Sequence, residues 1–272
     1  MGTLIRYFGL RSVAILAIVA AVTAQAQDVK VMCSGAFAAA YKLLAPQYEK
    51  SFGAHLEIAL GPSMGTSQDA IPVRLARGEI ADVVILARPA LDNLVKQGAV
   101  VAGSQVDLAR SRIGMAVRAG DPIPDIGSVE AFRKVLLQAH SVAYSDSASG
   151  VYIASELFKR LGIEKEMAAK SRQIPAEPVG QVVARGEVEI GFQQLSELQP
   201  IAGITIVGPI PEELQSITVF SAGVASSGPS QDAGRALIRY LASSRACSAI
   251  SQTALDPVAC SPSKSSSGNP AH

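Results

Sequence analysis

The sequence predicts an α/β protein of two similar lobes, each a mostly parallel sheet flanked by helices. Three observations carry this. Apolar strand-like runs alternate with helical stretches along most of the chain. A strand, a small-residue turn and a helix occur together twice. Val29 to Met32 runs into Cys33-Ser34-Gly35-Ala36, and Ser141 to Tyr144 runs into Asp146-Ser147-Ala148-Ser149-Gly150. A tetrapeptide also recurs, as Ala76-Arg77-Gly78-Glu79 and Ala184-Arg185-Gly186-Glu187, each time just ahead of an apolar strand.

Residues 1–26 read as an export leader. Arg6 and Arg11 form its basic flank, Ser12 to Val22 is an apolar run too short for a comfortable membrane span, and Ala24-Gln25-Ala26 is a cleavage pattern with the cut before Gln27. Lys30 and Met32 stand where a lipoprotein cysteine at Cys33 would need small apolar residues. The expected location is therefore the periplasm, as a soluble protein. Strands are expected at Val29 to Met32, Leu56 to Leu60, Asp82 to Leu86, Ile113 to Val117, Ser141 to Tyr144, Val188 to Phe192, Ile204 to Val207 and Ile217 to Ala222. Helices are expected at Phe37 to Tyr48, Ala70 to Ala76, Ala90 to Gln97, Ser128 to Leu137, Val151 to Leu161, Val179 to Ala184 and Pro229 to Ser243. In the last of these, Ala236, Leu237, Tyr240 and Leu241 share one face.

The first copy of the repeat spans residues 27–110 and the second spans 111–211. The strand and helix of 212–260 have no third copy and are expected to return to the first lobe. Two crossings, near Ser111 and near Pro211, then form a hinge, and 261–272, rich in Ser, Pro, Gly and Asn, is expected to be a disordered tail.

Without the leader the chain holds 22 basic and 23 acidic residues, a formal charge of −1. Such a chain is a poor partner for nucleic acid. His55, His140 and His272 are scattered and there is no C-x-x-C, so no metal site or cofactor is expected. An exported context permits disulfides, and Cys247 and Cys260 are near enough in sequence to pair and leave Cys33 free.

The repeated turns carry the chemistry. Ser34 and Gly35 in one lobe, and Ser149 and Gly150 in the other, open helices whose first N–H groups lack intrahelical partners and sit at the positive end of the helix dipole. Each could be an ordinary N-cap; two of them facing one another make an anion clamp. The loop Gly61 to Ser67, with Ser63, Met64 and Gly65, reads as a strand-to-helix connection or as a backbone nest closing on a ligand. Gln193 and Gln194 end a buried strand, where amides must be hydrogen-bonded and alternation leaves only one to face a cleft. Arg74 suits either a carboxylate or a structural salt link, whereas Arg77 and Arg185, ahead of Gly78 and Gly186 as helix C-caps, read as structural. Tyr152, Asp146, Glu197 and Cys33 are the plausible proton-transfer groups, and nothing in the sequence selects among them, so catalytic residues stay unassigned.

With those residues placed, the chain resembles the type II periplasmic solute-binding proteins, and within them the molybdate-binding group. The residues that carry it are the opening strand and turn, Arg74 to Glu79 before Ala81-Asp82-Val83-Val84-Ile85, Ser149-Gly150-Val151-Tyr152, and Ala176-Glu177-Pro178-Val179. The resemblance implies that Tyr152 lies at the site, that Val179 offers a backbone N–H to the ligand, and that Gln194 stands where molybdate binders carry a ligand tyrosine. Ala36 replaces their usual serine, and Gly61 to Ser67 replaces a serine run. A tetrahedral oxyanion wants only donors, and glutamine also offers acceptors. The expected ligand is therefore a small organic anion, a di- or tricarboxylate, ahead of molybdate or tungstate. Ser34 to Tyr41, Gly61 to Gly65, Tyr144 to Gly150 and Gly191 to Gln194 further resemble a subgroup of this fold that includes a periplasmic aconitate isomerase. The resemblance implies a binding component for an ABC-type importer or, on the same scaffold, an isomerase of cis- and trans-aconitate; a monomer is expected because two lobes that bind between them must hinge freely.

Overall fold

A computed structural model describes residues 28–175 and 177–261; the leader (1–26) and the tail beyond Ser261 lie outside the described residues. The elements run in chain order as β1 (Asp28–Cys33), α1 (Gly35–Phe52), β2 (His55–Leu60), α2 (Ile71–Ala76), β3 (Val83–Ala87), α3 (Arg88–Lys96), β4 (Val106–Ser111), β5 (Ile113–Arg118), α4 (Val129–Gln138), β6 (Val142–Ser145) and α5 (Ala148–Tyr152). Helix α5 continues through a π turn (Ile153–Leu157) into α6 (Phe158–Arg160). Then come α7 (Glu164–Ala168), β7 (Ser171–Ile174), α8 (Val179–Ala184), β8 (Ile190–Gln194), α9 (Leu195–Leu198), β9 (Ile204–Pro209), β10 (Thr218–Val224), α10 (Gln231–Leu241), α11 (Cys247–Ser251) and β11 (Leu255–Pro257).

Two sheets form the two lobes, in the orders β11-β4-β10-β3-β1-β2 and β7-β6-β8-β5-β9. The duplicated unit is visible as topology. β1 pairs in parallel with β2 and β3, and β6 pairs in parallel with β7 and β8. The sheets are mixed, however, since β10 runs antiparallel to β3 and β4, and β5 runs antiparallel to β8 and β9. The parallel expectation holds for the repeated βαβαβ half of each sheet. The other half is made by strands that cross between lobes.

Strand alternation divides each core into two layers. In the first lobe Val31, Cys33, Val83 and Ile85 face the cluster under α1, while Met32, Val84 and Leu86 face the opposite cluster. Helix α1 buries Phe37, Tyr41, Leu44 and Tyr48, spaced to share one face, and stops at Gly53 in the left-handed region (φ 66°). The repeated Ala-Arg-Gly-Glu motif makes the same helix exit in both lobes. The Gly78 N–H donates to Leu75 O and the Glu79 N–H to Arg74 O; Gly186 and Glu187 do the same to Val183 and Val182. Arg74 and Arg77 pair with Glu79, and Arg185 pairs with Glu187, so these arginines are structural.

The chain crosses between lobes at Arg112 and again over residues 210–217. One side chain joins the two crossings. Gln215 Oε1 accepts from the Ile113 N–H at 3.0 Å, and its Nε2 donates to Ile113 O at 2.7 Å. Cys247 and Cys260 form a disulfide that holds the short β11 beside α11, while Cys33 is free and buried. Changing both disulfide cysteines to serine is expected to cost about 3 kcal/mol, the loop-closure value for a 13-residue separation. Urea denaturation of the two proteins would measure it, and equal midpoints would refute it.

Candidate functional site

Between the lobes lies a cavity of about 310 Å³ at the carboxyl ends of the parallel strands. Gly35 and the Gly61-Pro62 bend face it from the first lobe; Asp146, Ser147, Gln193 and Glu197 face it from the second. Its position follows from the duplication, because α1 and the α5–α6 run both start there. Neither Ser34 nor Ser147 caps its helix with a side-chain hydrogen bond. The first N–H groups of both helices are thus left for a ligand. Among the described residues lining the cavity none is lysine, arginine or histidine.

The remaining sequence candidates distribute as follows. Ser34 is buried beneath the start of α1, with its N–H donating to Ile85 O. Ser63 is fully buried and its hydroxyl accepts the Ala87 N–H at 2.9 Å, so it anchors the loop inside its own lobe. Gly65 (φ 99°) brings the same loop across to the second lobe, where an added Cβ would lie 3.0 Å from Asp146 O. Ser149 hydroxyl pairs with that of Ser145 at 3.2 Å. Gly150 lies so close to Ser145 O that a Cβ would overlap it. Met64 and Tyr152 line a separate cavity of about 410 Å³ beside the second crossing. The Tyr152 hydroxyl is engaged, donating to Leu214 O at 2.6 Å and accepting from Arg160.

Two placements revise the detail of the sequence picture. The Val179 N–H is taken by Gln193 Oε1 at 2.9 Å, so in this arrangement it serves an amide of its own lobe. And Gln193, not Gln194, lines the cavity. The reason is register: Phe192 packs in the core against Phe132, so Gln194, two residues on, shares its face and Gln193 takes the other. Gln194 Nε2 donates to Thr218 Oγ1 at 3.0 Å, and its Oε1 is buried without a partner.

The geometry also separates the proton-transfer candidates. Cys33 is buried, burial pushes its thiol well above the ordinary thiol range, and its Sγ donates to Ser34 O. Glu197 stands in the first turn of α9, three residues after the N-cap Gln194. It reaches back to the Gln194 N–H, as a capping-box glutamate does, and also meets the Gln193 side chain. Burial pushes its carboxyl up to about 7 against those two hydrogen bonds, and the Asp146 charge adds to the rise. Gly35 leaves it room: a Cβ there would sit 2.6 Å from Glu197 Oε1. Asp146 is also raised by burial, against a bond from its own backbone, and its Oδ2 has no partner. Glu177, on the rim, is neutralised by Arg185 at 3.1 Å. No group of three or more His, Cys, Asp or Glu among the described residues is placed to hold a metal ion. The cavity is thus an anion-sized space walled by helix N-termini, one amide and four carboxyls, of which Asp146 and Glu197 are raised by burial.

A carboxyl raised from 4.5 to about 7 favours the folded state while it is protonated. That stabilisation is complete below about pH 4.5 and is lost as pH rises through about 7. Unfolding midpoints in urea are expected to fall over this window, and Glu197→Gln is expected to flatten the fall. An unchanged pH profile in the variant would refute the assignment.

Comparison with known proteins gives a consistent picture. A family model described as bacterial extracellular solute-binding protein matches residues 29–253. Over 232 residues the chain is 52% identical to an aconitate isomerase of Pseudomonas sp, covering 85% of this chain and 88% of that one. It is 27% identical over 236 residues to the molybdate-binding protein ModA of Azotobacter vinelandii, covering 85% and 90%. The solved periplasmic molybdate-binding protein of Azotobacter vinelandii superposes with a TM-score of 0.67 at 21% identity, covering 84% of this chain and 98% of that one. No helix among the described residues is long and apolar enough to cross a membrane.

Proposed function

Because the chain belongs to the bacterial extracellular solute-binding proteins, we propose that its interlobe cavity takes a small tricarboxylate and, in this member, isomerises it as an aconitate isomerase. The observation that carries the reading is the Glu197 carboxyl, held at about 7 on the cavity wall beside Asp146. A base poised near neutrality is what removal of a carbon-bound proton needs. The 52% identity to an aconitate isomerase supports the same choice.

Aconitate carries a CH₂ between a carboxylate and a carbon–carbon double bond. Glu197 takes one proton from that CH₂. The electron pair spreads over the three-carbon unit and its carboxylates. The proton returns to the far carbon, the double bond shifts by one position, and the new bond forms in either geometry. One proton leaves and one arrives, so no oxidant, reductant or second substrate is required. The helix starts at Gly35 and Ser147 face the carboxylates that gain charge. Gly35 and Gly65 bring the first lobe close to Glu197 and Asp146, and closure of the lobes over the ligand would keep water from the carbanion.

The test is incubation of the purified protein with cis-aconitate, followed by chromatography. Conversion to the trans isomer, with deuterium entering product in D₂O, is the expected result. No conversion, but a thermal shift with di- or tricarboxylates, would leave a periplasmic binding component for an ABC-type importer, the role the two-lobed cleft equally suits. A shift with molybdate alone would overturn the carboxylate reading.

A further inference from the structure

Asp146 occupies an unusual position for a residue at an anion site. It is 9% exposed, lines the cavity, and its Oδ2 has no hydrogen-bond partner among the described residues. Nothing around it supplies a compensating charge. From α9 it faces Glu197; from the segment before α8 it faces Glu177, whose charge is spent on Arg185; from the 61–70 loop it faces Asp69. The first lobe also brings the backbone of Gly65 close against it.

This arrangement treats two kinds of anion differently. Molybdate and sulfate carry no proton at neutral pH, so their oxygens would meet an Asp146 carboxylate acceptor against acceptor. A carboxylic acid can share one proton with Asp146, giving a charge-assisted O–H···O bond whichever oxygen formally holds it. Burial already raises the Asp146 carboxyl, which makes that proton easier to retain.

Resting on the carboxylate reading of the cavity, the geometry points to Asp146 as its specificity-determining residue: it admits a carboxylate ligand that brings or takes up a proton and rejects oxyanions that cannot. Ligand binding at neutral pH then takes up a proton, held between Asp146 and one ligand carboxyl. Glu197 remains free to act on the carbon skeleton.

The probe is tricarballylate, which has the three carboxylates of aconitate but no double bond and so cannot be isomerised. Titration calorimetry of the full protein at pH 7, in buffers of different ionisation heat, counts protons. The expected result is about one proton taken up on binding, retained in Glu197→Gln and lost in Asp146→Asn. The Asn variant is expected to bind tricarballylate about 10- to 100-fold more weakly and to gain binding of molybdate, since its amide can donate. Binding without proton uptake by the native protein, no binding of tricarballylate, or equal affinity for molybdate would each overturn the inference. The native proton count decides the matter even if Asp146→Asn does not fold. Proton-linked binding without turnover of cis-aconitate would instead refute the isomerase reading and leave this one standing.

Discussion

On the proposed isomerase reading, Glu197→Gln is expected to slow aconitate interconversion by about 10²- to 10⁴-fold, the usual worth of a positioned general base. Glutamine keeps the length of the side chain and a polar contact with the start of α9, but it cannot accept the proton. Ligand affinity is expected to change little, because the proposal assigns the anion to the helix starts and Asp146 rather than to this group. The native rate should also depend on pH in a defined way. It rises with pH as Glu197 ionises near 7. Initial rates between pH 5 and 9 test both statements. A variant with native rate, or a native profile flat across pH 7, would remove Glu197 from the chemistry.

Gly35→Ala is the second large effect, expected at about 100-fold in turnover with the fold retained. The added methyl would stand 2.6 Å from Glu197 Oε1, so either the carboxyl turns away or the lobes stay apart. Small-angle scattering with and without tricarballylate separates the two, since only the second blocks compaction. Gly150→Ala makes the contrasting case. There the collision is with the backbone carbonyl of Ser145, which cannot swing aside, and the expected outcome is about 3 kcal/mol or more of lost stability. Native turnover or ligand binding by Gly35→Ala would mean that the two lobes never approach as closely as they do here.

The sequence made the architecture readable because the architecture is repeated. Two Ser/Gly turns and two Ala-Arg-Gly-Glu exits announced two βαβαβ units, and each exit folds into the same pair of hydrogen bonds. What escaped is short or peripheral. The sequence of β4, Val-Asp-Leu-Ala-Arg-Ser, interrupts its apolar residues with charges. β7 is a polar edge strand, and β11 is three residues long. None of these offers enough local pattern to stand against a loop assignment. β8 begins two residues later than the apolar run suggests, at Ile190; alternation from the core-facing Phe192 is what separates Gln193 from Gln194 at the cavity. Glu197 was visible as one of four candidates and no more. Its distinction comes from burial and from Gly35 in the other lobe, a relation no window of sequence contains. The spacing from Gln194 to Glu197 hinted at a capping box, which is a reason to expect the residue at a helix start but not a reason to expect it in a cavity.

The order of strands in the two sheets has a consequence for how the molecule is assembled in time. The second sheet is drawn entirely from consecutive strands, β5 to β9, between Ile113 and Pro209. The first sheet has β10 in its middle, between β3 and β4, and β11 at its rim. Every strand pair of the second sheet closes within its own continuous segment, the widest being Gly114 with Pro209, whereas the first must wait for a segment more than a hundred residues downstream of β3. Refolding should therefore be sequential, with pulse-labelled amides of β6 and β8 protected before those of β3. The early intermediate would expose the unpaired flank of β3 until β10 arrives, which makes it the species most prone to aggregate.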